Sequence, residues 1–176
     1  MKKCFALLLA LTLVMGASLA SATELEVSQA TTEFDVTLEI PEGYEAVQNR
    51  ENGNLYIDIL PSDKAQPEYW LSIGYSEEYD GVTFNDLSEE DVDSIVAEIS
   101  TAFAAPVWSE ATTKEGTQVC VMDETEGESD WALIFTIYKG YFITVQIEKD
   151  DYSMLSEADI QRAVDLLGDM HFVDQP

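Results

Sequence analysis

The chain has 176 residues, of which 35 are acidic and 8 are basic, and its formal net charge is −27. Such a surface repels phosphate, which argues against a nucleic-acid partner, and two Cys and one His are too few for a zinc or iron–sulfur site. An apolar share of 46% excludes a disordered acidic tail.

Residues 1–22 have the pattern of a secretory signal peptide. A Lys-Lys pair and an apolar run of twelve residues precede Ala20-Ser21-Ala22, whose small side chains fit a signal-peptidase site. The alternative is an uncleaved membrane anchor, but the apolar run is too short to span a bilayer. We therefore expect an exported protein, secreted or retained at the cell envelope, with no membrane span after cleavage.

Removal of this segment takes away two lysines and no acid, so the mature chain of 154 residues carries a charge of −29. A chain of this length buries roughly 68–70% of its unfolded surface. We predict a flexible leader at residues 23–32 and a single globular domain at 33–176, with a monomer as the expected state. Because only Cys120 remains, stability has to come from packing and not from a disulfide bond.

The sequence of the first half of the domain predicts strands and turns. Alternating apolar residues predict a strand from Phe34 to Ile40, which ends at the turn Pro41-Glu42-Gly43. Asn52-Gly53-Asn54 indicates a hairpin, and further strands are predicted at 55–60 and 69–75.

Two helices are predicted from nearly the same capping pattern, L-S-E-x-D-[VI]. Ser88 is the predicted N-cap of the first helix and Ser156 that of the second, each with an acid three residues on. Apolar stripes follow at helical spacing, and Gly168 marks the end of the second helix. An ancient duplication and convergence on good capping chemistry both explain the shared pattern, and the unlike flanking strands favour convergence.

Three strands are predicted between the helices, near 107–112, 117–123 and 131–138, and a fourth at 141–148. The two-residue loop Lys139-Gly140 fixes the register of the last pair, so that Tyr138 faces Tyr141. The strand at 131–138 is apolar on both sides, as expected for a central strand covered on both faces. The predicted fold is therefore α+β, an antiparallel sheet of six or seven strands with one helix packed on each face.

This layout resembles the PsbP-like α/β/α sandwich of small exported bacterial proteins. The resemblance spans residues 33–174 and includes Ile40-Pro41-Glu42-Gly43-Tyr44, the aromatic hairpin from Trp131 to Glu148, the last helix and Met170-His171-Phe172. It implies an accessory or binding role without chemistry of its own. It carries over no functional residues, because members of the family bind different partners.

The lone cysteine and the lone histidine are the first candidates for chemistry. Alternation places Cys120 opposite Val119 and Val121, which predicts a packed strand cysteine. A catalytic thiolate would need a base, and only His171 is available. His171 follows the second helix, where a cation near the helix end is favoured, and nothing in the sequence brings it to Cys120.

The densest acidic cluster is a candidate metal site. Oxygen-rich loops suit Ca²⁺, and the cluster offers five carboxylates: Asp123, Glu124, Glu126, Glu128 and Asp130. It does not match the EF-hand spacing, and a strand follows where a helix is required. The alternative is a solvated acidic turn between two strands.

Aromatic residues form the last candidate site. Alternation puts Trp70 on the same face as Ser72 and Gly74. Either Trp70 is the floor of a binding groove, or Ser72 and Gly74 form a notch that accepts a helix and Trp70 packs against that helix. Tyr79, Trp108 and Tyr152 lie in or beside predicted loops and are candidates for the same edge.

Serine-hydrolase, P-loop and dinucleotide motifs are absent from the sequence. With 35 acids, a chance pair of carboxylates carries no weight as a glycosidase signature. We expect a non-enzymatic binding or accessory domain for an unknown protein or envelope partner, with no cofactor. The alternative is an acidic module that responds to Ca²⁺, and an enzyme of another type ranks third.

Overall fold

The computed structural model describes residues 23–28, 34–102, 106–114, 116–124, 130–168 and 170–174. The predicted signal peptide at 1–22 lies outside them. The strands are β1 Thr23–Ser28, β2 Phe34–Ile40, β3 Tyr44–Glu51, β4 Asn54–Pro61, β5 Glu68–Tyr75, β6 Pro106–Thr112, β7 Gln118–Glu124, β8 Trp131–Tyr138, β9 Tyr141–Glu148 and β10 His171–Asp174. The helices are α1 Glu89–Ile99 and α2 Glu157–Gly168, and no described helix is long and apolar enough to cross a membrane.

The main element is a seven-stranded sheet in the order β3-β4-β5-β9-β8-β7-β6, in which all neighbouring strands are antiparallel. A smaller sheet has the order β1-β2-β10, also antiparallel. The predicted α+β fold with an antiparallel sheet of six or seven strands is therefore confirmed.

The membership of the large sheet differs from the prediction. The strand Phe34–Ile40 belongs to the small sheet, and β3 takes its place at the edge of the large one. This edge strand was missed because its side chains alternate only between half-buried and exposed, so its sequence lacks a strong apolar pattern. Its backbone is nevertheless paired with β4 along its whole length.

The predicted flexible leader also differs from what is observed. Residues Thr23–Ser28 form β1, whose six residues are all in register with β2, from Thr23 opposite Ile40 to Ser28 opposite Asp35. The strand satisfies the backbone hydrogen-bonding groups on its inner side by pairing with β2. Its composition of small and polar residues did not reveal this. The remaining leader residues, 29–32, lie outside the described part of the chain.

Two tight hairpins lie at their predicted positions, and the second also has the predicted register. Tyr138 faces Tyr141, and the pairs run in register to Trp131 and Glu148. Lys139 and Gly140 both have positive φ, 48° and 88°, as a type I′ turn requires. Asn52 and Gly53 make the same kind of turn between β3 and β4, with φ of 54° and 86°.

Each face of the large sheet carries its own apolar core. On the first, which we call the α2 face, buried strand residues such as Ile57, Ile134 and Val145 pack with α2 and with β2 of the small sheet. On the second, the α1 face, Cys120, Phe135 and other residues of β7 and β8 pack with α1. The expectation of one helix on each face is confirmed.

Both helices begin as predicted. Ser88 accepts a hydrogen bond from the backbone N–H of Asp91 while the Asp91 carboxylate accepts one from the N–H of Ser88, which is a complete capping box. Ser156 and Asp159 repeat this arrangement at the start of α2. The second helix ends at the predicted Gly168.

The two glycine turns allow a matched test of the β8–β9 hairpin. A Cβ on Gly140 would lie 3.1 Å from the Tyr79 carbonyl oxygen, whereas a Cβ on Gly53 meets nothing within 4 Å. We expect Gly53→Ala to lower the free energy of unfolding by about 1 kcal/mol, from the left-handed backbone alone. Gly140→Ala should cost about 1–3 kcal/mol more, because the added methyl group is crowded. Urea denaturation measures both, and equal losses would contradict the close packing of this turn.

Candidate functional site

Trp70 lies in the middle of a row of residues that crosses the α1 face. Strand register places it between Asp58 on β4 and Gln146 on β9. The row begins at Val47 on β3 and continues past Leu133 on β8 to Met122 on β7 and Trp108 on β6. Trp70, Asp58 and Gln146 are half-buried, and the Val47 side chain is 50% exposed. We call the α1 face of β3, β4, β5 and β9 around this row the Trp70 face.

The Trp70 face is less covered than the other side of the same strands. On the α2 face, Leu55, Ile57 and Leu71 are at most 1% exposed. The α1 cluster draws its strand residues from β7, β8 and β9 and includes none from β3, β4 or β5. Among the described residues, therefore, α1 covers one half of its face and leaves the half around Trp70 accessible.

The small residues beside Trp70 do not accept a helix. The side chain of Asn54 fills the space over Gly74, where a Cβ would lie 2.7 Å from its Oδ1. Asn54 is in turn placed by a 3.3 Å hydrogen bond from its Nδ2 to the hydroxyl of Tyr56. The predicted notch is thus filled from within the sheet, and Trp70 stays at the surface of the half-open face.

Carboxylates surround Trp70. Asp58 is its direct neighbour across β4, and burial raises the pKa of this carboxyl group. Glu68 lies opposite Glu148, a like-charge pair on adjacent strands. Burial, followed by repulsion from Asp150, raises the pKa of Glu68. Lys64 relieves part of this repulsion through its 2.7 Å ion pair with Asp150.

The other aromatic residues considered for this site lie elsewhere. Tyr79 is in a 3₁₀ turn and packs against the α1 cluster. Trp108 is on the edge strand β6, opposite Met122 and 37% exposed. Tyr152 is 71% exposed in the turn after β9. The structure does not gather these three around Trp70, because their elements belong to different parts of the sheet.

Cys120 is a packed strand cysteine, as predicted. It is 0% exposed within the α1 cluster, and burial, together with the negative charge of Glu110, raises the pKa of its thiol to about 12. His171 lies on β10, in the small sheet whose strand β2 packs on the opposite, α2 face. The large sheet therefore separates the two residues, and a Cys–His pair is contradicted.

The candidate Ca²⁺ cluster is described only in part. Asp123 is half-buried near the end of β7, where burial raises the pKa of its carboxyl group. Asp130 is half-buried just before β8, and Glu124 ends β7. Glu126 and Glu128 lie outside the described residues. Within the described ranges, no three His, Cys, Asp or Glu side chains form a group that could hold a metal ion.

Among the described residues, the one buried carboxylate has a structural role. Asp159 is 4% exposed and binds Lys149 Nζ at 2.9 Å and Arg162 Nη2 at 2.8 Å. Burial alone would raise the pKa of Asp159, but hydrogen bonds from Ser156 and the charge of Lys149 hold it below its usual value. Its contribution to stability is therefore present at neutral pH and is lost as the pH falls through that lowered pKa.

Asp58 has the opposite dependence on pH. Because its pKa is raised in the folded state, the folded protein gains stability as the pH falls through that pKa, and the ionised group destabilises it at neutral pH. We expect Asp58→Asn to raise the free energy of unfolding at pH 7 and to have a smaller effect near pH 4. Urea denaturation at both pH values measures this. Glu45→Gln, which removes an exposed charge from β3, is the control, and an equal gain from it would refute a specific effect of burial.

The motif Ile40-Pro41-Glu42-Gly43-Tyr44 forms the turn from β2 into β3. Residues of this motif line a cavity of about 380 Å³ together with Tyr69, Lys114 and Arg162. The Tyr44 and Tyr69 rings lie 5.6 Å apart there, and Lys114 is paired at 2.7 Å with Asp165.

No protein-family model and no curated protein sequence matches this chain.

Proposed function

We propose that this protein is an exported, non-enzymatic binding domain whose Trp70 face holds a positively charged segment of a partner protein. The observation that carries the proposal is a half-buried Trp, in register with Asp58, on the half of the α1 face that no described helix covers. A Trp beside carboxylates recognises Lys and Arg through cation–π contact and charge pairing. Tryptophan is also a frequent anchor of protein interfaces.

The electrostatics of the face favour a cationic occupant. Glu68 and Glu148 face each other across two strands, and Asp58 and Asp150 add to the negative potential at Glu68. Lys64, which is paired with Asp150, offsets only part of this repulsion, so that the pKa of Glu68 stays raised. A basic segment laid along the face would relieve the repulsion, whereas an acidic one would increase it. The net charge of −27 would also steer a basic partner toward the protein.

The layer arrangement supports an accessory role of the PsbP-like type. The large sheet lies between α1 on one face and α2 with the small sheet on the other. The resemblance to the PsbP-like family implies this order of layers, and it also implies a binding role. The raised pKa of the buried Cys120 thiol also argues against a thiolate nucleophile at the one cysteine of the mature chain.

A synthetic lysine-rich peptide tests the face directly. We expect it to bind the mature protein at low salt and to lose about tenfold in affinity, about 1.4 kcal/mol, in the triple variant Asp58→Asn/Glu68→Gln/Glu148→Gln. The control is Glu77→Gln/Glu78→Gln/Glu98→Gln, which removes three exposed charges elsewhere. Isothermal titration calorimetry measures both. Equal losses in the two variants would show that net charge and not this face determines binding.

Trp70→Ala separates the aromatic contribution from the charge. We expect it to weaken the same peptide several-fold by removing the anchor while leaving every carboxylate in place. Trp108→Ala, which removes a partly exposed tryptophan from the edge strand β6, should leave the affinity unchanged. The proposed binding mode fails if Trp108→Ala weakens the peptide as much as Trp70→Ala does.

The alternative function is a response to Ca²⁺ at the acidic turn from Asp123 to Asp130. If repulsion among the acids is the only effect, NaCl and CaCl₂ at equal ionic strength should raise the melting temperature by the same amount. This equality is the outcome we expect, and differential scanning calorimetry measures it. A larger gain with CaCl₂ that Asp130→Asn abolishes would establish the Ca²⁺ module in place of simple screening.

A further inference from the structure

Strands β7 and β8 separate at one end of the large sheet. Their register runs only from Asp123 opposite Ala132 to Cys120 opposite Phe135. Beyond that point, each strand stays paired only with its other neighbour. Strand β7 continues to Gln118 paired with β6, and β8 continues to Tyr138 paired with β9. Where the pairing stops, the Thr136 hydroxyl donates a 3.0 Å hydrogen bond to the Gln118 carbonyl. A side chain thus bridges the strands at the point where their ladder ends.

A cavity of about 350 Å³, which we call the β7–β8 cleft, opens at this separation. Phe84 and Asn85, from a 3₁₀ turn, and Thr117, from the turn before β7, form its walls. Thr136 lies at the strand separation, and Leu167 and Met170 form a wall on the α2 side. The volume is within the range of small-molecule sites, about 300–1,000 Å³.

The described residues that line the β7–β8 cleft are uncharged. No Asp, Glu, Lys, Arg or His is among the described residues that line it, although charged residues make up 24% of the chain. Its polar groups include threonine hydroxyls, the amide of Asn85 and the phenol of Tyr138, and its apolar surface comes from Phe84, Leu167 and neighbouring aliphatic residues. An anionic ligand would lose hydration here without gaining a counter-charge from any described lining residue, so the lining favours a neutral one.

Hydrogen bonds and close packing hold in place the turns that form the walls of the cleft. Thr113 is 4% exposed and ties the turn, since its N–H donates to the Thr117 carbonyl at 2.9 Å and its hydroxyl accepts from the Thr117 N–H at 3.1 Å. The end of α2 packs tightly on this turn, because a Cβ on Gly168 would lie 2.5 Å from the Cβ of Thr113. Opposite, Thr83 and Asp86 form a capping box around the turn that carries Phe84. The cleft is therefore preformed and needs little reorganisation to bind a ligand.

We propose that the β7–β8 cleft is a binding site for an uncharged small molecule with an apolar body and a hydroxyl, carbonyl or amine edge. The apolar body packs between Phe84 and Leu167, and the polar edge bonds to the threonine hydroxyls and the Asn85 amide. The site is lined by residues different from those of the Trp70 face, so its occupancy does not depend on the partner-binding function.

The uncharged fluorescent dye N-phenyl-1-naphthylamine is the probe. We expect a saturable increase in its fluorescence with the mature protein at one site per chain. Thr117→Trp, which fills the mouth of the cleft from an exposed position, should lower the affinity by at least about tenfold. Thr112→Trp places the same side chain on an exposed position of β6 outside the cleft and should leave binding unchanged. Asn85→Trp fills the cleft from the opposite wall and provides a second blocking variant.

The proposal is overturned if the dye shows no saturable binding, or if Thr117→Trp and Asn85→Trp both bind it as the unchanged protein does. It is also overturned if the sulfonated, anionic analogue of the dye binds equally well, because the lining would then not discriminate between neutral and anionic ligands. Backbone NMR shifts on adding the dye should centre on Thr117 and Ile137. Shifts centred on Trp70 would place the dye on the partner-binding face and refute the cleft.

Discussion

The fold depends on the burial of strand β8 on both of its faces. Ile134 packs into the core on the α2 face, while Phe135 and Ile137 pack into the core on the α1 face, and each is at most 1% exposed. Burying such a side chain contributes roughly 1.5–3 kcal/mol. A strand this apolar has to lie inside the sheet with a layer on each side, which in turn requires two amphipathic helices.

The negative charge is distributed around this constraint. Acids occupy the first turns of both helices, where their negative charge interacts favourably with the helix dipole. Other acids lie in the loops between strands. The buried Asp159 is held by two cations, Lys149 and Arg162. Asp58, Glu68 and Glu148 lie instead within strands, on the half-covered side of the sheet. Their positions near Trp70 in the strand register are the basis of the proposed partner-binding function.

Both candidate sites arise where the regular structure ends. The Trp70 face exists because α1, with eleven residues, covers β7 and β8 and does not extend over β4 and β5. The β7–β8 cleft exists because two strands that pair in their middle follow different neighbours at one end. A single short helix and one strand separation thus leave two surfaces of different chemistry, one acidic and aromatic, the other uncharged.

Local patterns in the sequence determined the turn at Gly53, the register of the hairpin at Gly140, the capping boxes of both helices and the burial of Cys120, because each depends on residues close together in the chain. Tertiary structure alone decided that β2 joins the small sheet, that the weakly patterned β3 takes the edge of the large one, and that β1 is a strand. It also decided that Asp58 lies beside Trp70 and that Thr117 approaches Thr136 across the cleft. Those contacts join segments far apart in sequence, and their geometry follows from how the strands pair and from which part of the sheet a helix covers.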